Sequence, residues 1–305
     1  MNVFTFGLLL STAIWSLIFD FRLMKMFSIV VGIYVIFDIY FRFRGYTSVR
    51  KKMSIATWND TGDPTAHGCI EIDLTAADDL INKYNLQNPE NRLSYTHIAL
   101  KALGHATDDS FNNFGTLCFG SYIPAQSMDL SVFVELYENQ TATIIIRDCK
   151  NLSITEIARQ LKQKIDYLKN KKGSSFKLQL RLLDYIPTFI VQIIFNTLSF
   201  LSYNLGISIP LLDIKPNQFG YAVVVNAGKL GISNIYVPLT NFTKSIMVAV
   251  INAPYDKPVI VNNEVMIRKY IDICVTFDHR FADGSDGAKM IKRMEDVWIN
   301  PKKYL

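Results

Sequence analysis

The chain has 305 residues and a formal net charge of +5, and half of its residues are hydrophobic. That length suits one sizeable domain with an appendage and is ample for a large core. Only 19% of the residues are charged and mean hydropathy is +0.16. With no RNA-binding signature and no basic-aromatic stripe, this composition argues against a nucleic-acid partner.

The apolar excess is concentrated at the N-terminus. Residues 3–19 carry no charge, nor do residues 26–37, and Asp20, Arg22 and Lys25 stand between the two runs. A bilayer core needs about 17–25 apolar residues in a helix. The first run qualifies, and the second reaches that length only by including Asp38. There is no basic n-region and no small-residue cleavage site, which disfavours a secretory signal. Residues 1–45 are therefore expected to form a membrane anchor, either a tight helical hairpin or one span plus an interfacial helix. Arg42, Arg44, Arg50, Lys51 and Lys52 follow. A basic cluster beside a span stays on the cytoplasmic side and attracts anionic head groups, at about 1 kcal/mol per residue. The expected location is thus a membrane, with residues 46–305 forming a domain that faces the cytoplasm.

Pro64–His67 leads into a strand pattern ending Glu71-Ile72-Asp73-Leu74-Thr75, and Leu93 to Ala106 reads as an amphipathic helix. Ser153-Ile154-Thr155-Glu156 is a capping box for a helix running to about Lys172, with Ile154, Ile157, Ala158, Leu161, Ile165 and Leu168 on one face. Its outer face is lysine-rich, as a solvated face is. Strand-like runs fall at 130–136, 142–147, 221–225, 246–251 and 270–277, and the mixture with helices predicts an α/β sandwich with a largely buried sheet. Residues 185–212 are wholly uncharged, with Pro187 and Pro210 near the ends. A span there would put the flanking strands on opposite sides of a bilayer, so the segment is expected either as a membrane-facing insertion or as a helix covering a core or a subunit contact.

Four cysteines (Cys69, Cys118, Cys149, Cys274) show no metal-like spacing and are expected as reduced thiols, with no metal bound. His67, His97 and His105 are expected in structural roles.

Phe277-Asp278-His279-Arg280-Phe281-Ala282-Asp283-Gly284 speaks most directly of chemistry. An imidazole titrates near neutrality, so a positioned His279 can take a proton from a thiol or hydroxyl. Asp283, four residues on, is expected to lock the local turn through a buried salt bridge, and Gly284 to adopt a backbone closed to other residues. The bland alternative is a strand end whose histidine is simply hydrogen-bonded.

The string resembles the end of the catalytic domain of the dihydrolipoamide acyltransferases, the E2 components of 2-oxoacid dehydrogenase complexes, which carry Asp-His-Arg, two variable residues and Asp-Gly. Chloramphenicol acetyltransferases share the His-x-x-x-Asp-Gly core but usually have a second histidine where this chain has Asp278. Upstream, the Pro64–Thr75 strand, the Leu93–Ala106 helix, the run Asp129–Val134 and Asn252-Ala253-Pro254 are collinear with that domain. The resemblance implies a chloramphenicol-acetyltransferase-like two-layer sandwich with a mixed sheet. It also implies a homotrimer with sites between subunits, an acyl-CoA thioester as co-substrate, His279 as general base and Asp283 as the structural carboxylate. No Asp-Lys-Ala lipoylation motif or peripheral-subunit-binding domain is present, so a free-standing membrane-bound acyltransferase with a thiol or hydroxyl acceptor is expected.

One departure bears on activity. The family holds the oxyanion with a Ser or Thr hydroxyl, and the matching stretch here, Gly220–Gly228, has Val225 at that position. Valine cannot donate a hydrogen bond, and loss of one oxyanion donor costs about 100- to 1,000-fold in rate. Asn226 or Ser233 stands as the replacement donor. The alternative is a non-catalytic trimeric membrane scaffold of the same fold.

Overall fold

A computed structural model describes residues 21–44, 64–107, 114–137, 140–170, 188–210, 214–240 and 242–305. The charge-free run at 3–19 and the basic residues 50–52 lie outside them. Strands are β1 Thr65–Asp73, β2 Gly115–Cys118, β3 Ser121–Pro124, β4 Leu130–Tyr137, β5 Gln140–Ile146, β6 Ala222–Asn226, β7 Met247–Ile251, β8 Tyr255–Val261 and β9 Glu264–Asp278. Helices are α1 Phe21–Phe43, α2 Thr75–Gln87, α3 Tyr95–Ala106, α4 Ile154–Asn170, α5 Thr188–Ser199 and α6 Gly284–Ile299.

The main sheet runs β1-β9-β7-β6-β4-β5, with β8 also paired to β9, while β2 and β3 form a separate hairpin. β6 is parallel to β4 and β7, and the remaining pairings are antiparallel, so the expected mixed sheet is present. Short β-branched runs such as Ala222–Asn226 and Met247–Ile251 are almost wholly buried, as inner strands of a two-layer fold should be. One face packs on α2, α3, α4 and α6. Ile98, Leu100 and Leu103 of α3, Ile154, Ile157 and Leu161 of α4, and Met290, Met294, Val297 and Trp298 of α6 join strand residues there in one core. Fully burying one such side chain stabilises the fold by about 1.5–3 kcal/mol. On the other face, Val223, Ala227, Val248 and Val250 lie under an irregular strap, Ile235 to Leu239.

β9 is the spine. Its first half pairs with β8 in a projecting hairpin, and its second half lies between β1 and β7. Two residues before β6 stands Gly220, whose φ of 66° is left-handed and whose absent Cβ would sit 2.4 Å from the Asp129 carbonyl oxygen. Only glycine suits that bend.

The described residues reach the membrane expectations only in part, since they exclude the run at 3–19. Among the described residues no helix is long and apolar enough to cross a membrane. The run at 26–37 sits inside α1, a continuous 23-residue helix interrupted by Arg22, Lys25, Asp38 and Arg42. Within 185–212, α5 has only 12 residues and passes into a π-helical turn, Phe200–Asn204. Ring contacts tie these parts together, Phe37 of α1 on Phe119 at 5.1 Å and Phe119 on Phe200 at 5.8 Å.

Candidate functional site

His279 stands where β9 leaves the sheet. The Asp278 N–H donates to the Ile246 carbonyl (2.8 Å) and the His279 N–H to the Pro64 carbonyl (2.9 Å). The departing backbone is thus tied to the starts of β7 and β1. Phe281 N–H then closes a turn onto the Asp278 carbonyl at 3.0 Å. The His279 ring stacks on Phe277, centroids 6.2 Å apart at 26°, and is half-buried.

The turn is locked differently from the sequence reading. Asp278 is buried, 6% exposed, and takes a forked ion pair from Arg280, with Nη2 to Oδ2 at 2.6 Å and Nε to Oδ1 at 3.0 Å. It also accepts the Arg280 N–H at 3.0 Å. A bidentate, charge-assisted arrangement fixes direction as well as attraction. Asp283 instead caps α6, accepting from the N–H groups of Ser285 (2.9 Å) and Asp286 (3.0 Å). Such a carboxylate satisfies orphan donors at the positive end of a helix. Gly284 is the first residue of α6, with no atom near the position a Cβ would take and no left-handed φ. The bend comes from residues 278–281, so Gly284 has no special backbone to provide. Phe281 anchors the turn in the core, edge-on to Tyr122 at 5.9 Å.

The candidate oxyanion donors lie elsewhere. Asn226 ends β6 opposite Ile251 of β7, which lies opposite Ile273 of β9. His279 is six residues further along β9, about 20 Å away at strand rise. The Asn226 amide donates to Thr96 Oγ1 on α3 (3.0 Å), and its Oδ1 accepts the Gly228 N–H (3.0 Å). Val225 packs under the strap with Ile235, Val237 and Leu239. Ser233 is on an exposed loop. A single copy of the chain therefore does not bring His279 to Asn226 or Val225.

Beside the motif lies a cleft of about 630 Å³. Thr65, His67, Tyr236, Lys244, Ser245 and Arg280 are among its walls. Burial, then Arg280, pushes the Lys244 amine below its ordinary range, while Asp278 pulls it back. Lys244 has a left-handed φ of 51°. The Ser245 hydroxyl is buried without a hydrogen-bond partner among the described residues. Two cations against one carboxylate, with an unsatisfied hydroxyl, suit an anionic or strongly polar guest. No sequence signal marks Lys244 or Ser245. The Asp278–Arg280 pair was adjacent to the motif and could have been read from it.

The other histidines have local jobs. His67 Nδ1 bonds Thr276 Oγ1 at 3.1 Å, and its ring meets Tyr236 edge-on at 5.2 Å in the cleft wall. His97 Nδ1 accepts the Ser94 N–H at 3.0 Å, closing a capping box on α3, and burial pushes its imidazole down to about 4. His105 packs tilted against the Tyr304 ring, centroids 4.9 Å apart, with its Nε2 3.1 Å from the Tyr304 hydroxyl. No group of three metal-ligating side chains occurs among the described residues.

Residues 214–305 match the model of the 2-oxoacid dehydrogenases acyltransferase catalytic domain. The chain is 27% identical over 78 residues to the lipoamide acyltransferase component of the branched-chain alpha-keto acid dehydrogenase complex of Pseudomonas putida. That alignment covers 26% of this chain and 18% of that protein, so the chain spans under a fifth of its curated relative. Among solved structures, a probable dihydrolipoamide acetyltransferase of Listeria monocytogenes superposes with TM-score 0.56 at 16% identity, covering 82% of this chain and 89% of that one. A truncated catalytic core of the 2-oxoacid dehydrogenase multienzyme complex of Thermoplasma acidophilum gives 0.54 at 14% identity, covering 84% and 96%. The fold is therefore that of the 2-oxoacid dehydrogenase acyltransferase core, an α/β fold with a mixed sheet.

Proposed function

We propose that the chain is an acyltransferase that moves an acyl group from an acyl-CoA thioester to a thiol or hydroxyl acceptor. The observation that carries this reading is the turn at the end of β9. There a buried Asp278–Arg280 fork and the Asp283 cap hold His279 half-exposed, within a segment matching an acyltransferase family model. In this reading His279 takes the proton as the acceptor oxygen or sulphur attacks the thioester carbonyl. The proton passes to the CoA sulphur as the tetrahedral intermediate collapses, so the base is regenerated. Lys244 and Arg280 suit the phosphates of such a donor.

The oxyanion donor must come from a second copy, because Asn226 and Val225 sit at the far end of the strands from His279. A homotrimer with sites between subunits meets that need. The projecting β8–β9 hairpin supports association, since Ile260, Val265 and Ile267 are each at least 74% exposed on it. An acyl-CoA turnover assay tests the reading. Replacing a general base lowers the rate by about 100- to 10,000-fold, so His279→Ala should fall by that much. Equal rates for the two proteins would sink it.

We place the protein at a membrane with the catalytic domain facing the cytoplasm. The support is the charge-free run at 3–19, the following basic cluster, and apolar side chains left in solvent on α1 (Met26, Ile29, Ile36) and α5 (Ile194, Phe195). Flotation of the full chain with anionic vesicles is the expected behaviour. Its absence at low salt would remove the membrane from the proposal.

A second reading, a non-catalytic scaffold of the same fold, is favoured by Val225 and by the engagement of Asn226 with Thr96 and Gly228.

A further inference from the structure

Two of the four cysteines meet across the sheet. Cys69 on β1 lies opposite Cys274 on β9, and their sulphurs are 3.0 Å apart. The ladder fixes what kind of pair this is. Leu74 N–H donates to the Lys269 carbonyl and His279 N–H to the Pro64 carbonyl, each to the residue that the register puts directly opposite. Hydrogen-bonded pairs therefore fall on even-numbered residues of β1, and Cys69–Cys274 is a non-hydrogen-bonded pair. In such pairs the Cα atoms approach to about 4.5 Å and the side chains are closest. That spacing is at the short end of the range a disulfide accepts, about 4.4–6.8 Å. A bridge there closes without moving the strands apart, and its tight geometry makes it easier to reduce than a relaxed structural disulfide.

Access and consequence are both built in. Cys69 is exposed and Cys274 buried, so a reagent meets one thiol and the other stands ready behind it. Cys274 is linked to the strap through Asn252. The Asn252 amide donates to Cys274 Sγ at 3.2 Å while its Oδ1 accepts the Ile235 N–H at 3.1 Å.

We propose that Cys69 and Cys274 are a reversible redox pair whose disulfide, formed by exchange with a small-molecule disulfide, loosens the strap at 232–239 beside the cleft. Cys69 gives its proton to solvent and attacks one sulphur of RSSR, forming a mixed disulfide and releasing RSH. Cys274, likewise deprotonated, attacks the Cys69 sulphur, closes the bridge and releases the second RSH. Two protein thiols are oxidised and one RSSR is reduced to two RSH. Burial and Cys274 push the Cys69 thiol up to about 12, which lowers its thiolate fraction and slows the exchange. The inference stands apart from the acyl-transfer reading.

The test equilibrates the full chain with mixtures of reduced and oxidised glutathione, then alkylates, digests and maps it by mass spectrometry. An oxidising mixture should give one linked Cys69–Cys274 peptide, two hydrogens lighter, which excess reduced glutathione reopens. Cys274→Ser should instead leave glutathione on Cys69. Deuterium uptake over 232–239 should rise severalfold in the linked form. Alkylation of both thiols at every mixture, or glutathione on wild-type Cys69 with no ring closure, would overturn the pair. A link with unchanged uptake would overturn its effect on the strap.

Discussion

The two ends of the inner strands differ in chemistry although both lie within the family-matched residues. At the C-terminal end of β9 polar groups shape the turn that carries His279: two N–H groups are tied to neighbouring strands, Asp278 is forked by Arg280, and Asp283 caps α6. At the C-terminal end of β6 the position expected to carry a hydroxyl is Val225, packed among aliphatic side chains, and Asn226 is occupied by Thr96 and Gly228. A fold holds its shape through either kind of end. Moving a proton and stabilising a developing oxyanion are separate demands, and in the proposed function only the first has a candidate group at its expected place.

Val225→Ser is the change with the largest expected effect on that contrast. If Val225 faces the neighbour's His279, acyl transfer should rise by about 100- to 1,000-fold, the worth of one oxyanion donor. Lost aliphatic burial under the strap should cost about 1–2 kcal/mol of stability. An unchanged rate, in a variant that still folds, assigns the donor to another group such as Asn226 or Ser233. A rate unchanged by both Val225→Ser and His279→Ala leaves the scaffold reading standing.

The next largest effect is expected at Asp278. Asp278→Asn removes the carboxylate opposite Arg280. A fully buried pair broken on one side costs about 3–5 kcal/mol, and Arg280 retains about a third of its side-chain exposure, so about 2–3 kcal/mol is the expectation by chemical denaturation. Activity should fall further than stability alone requires, because His279 is the next residue in the turn. Asp283→Ala should cost about 1 kcal/mol, the typical worth of an N-cap. A loss as large as that for Asp278→Asn would mean that Asp283 shares the locking of the turn.

The sheet was legible because its inner strands are short β-branched runs, and runs of that kind are buried on both faces. The first half of β9 was not, since Val265, Met266 and Ile267 are all exposed in the hairpin and give no alternation. Nor was the β2–β3 hairpin, whose strands have four residues each. His279 was expected from its neighbours in sequence, and the structure places it in the turn at the end of β9, beside the cleft walls Asp278 and Arg280. The sequence reading assigned the lock to Asp283; the forked ion pair falls on Asp278, and Asp283 caps the next helix. Lys244 and Ser245 reach the cleft through a left-handed residue in a loop, which no periodicity records.

His97 offers the smallest and most separable test, because it lies outside the matched segment and contributes to stability alone. Its Nδ1 accepts the Ser94 N–H, which only the neutral ring can do, and burial holds the folded-state value at about 4 against the ordinary 6.5. The unfolded chain therefore binds a proton that the folded chain refuses between those values. The contribution of His97 is fully present above pH 6.5 and is lost progressively as pH falls towards 4. His97→Gln keeps an acceptor at the third position of the capping box but does not titrate. It should hold α3 at neutral pH within about 1 kcal/mol and flatten the fall in stability between pH 6.5 and 4. Parallel wild-type and His97→Gln curves would show that His97 is not the source of that slope. Denaturation curves for wild type and His97→Gln across that range thus isolate what this histidine contributes to the fold.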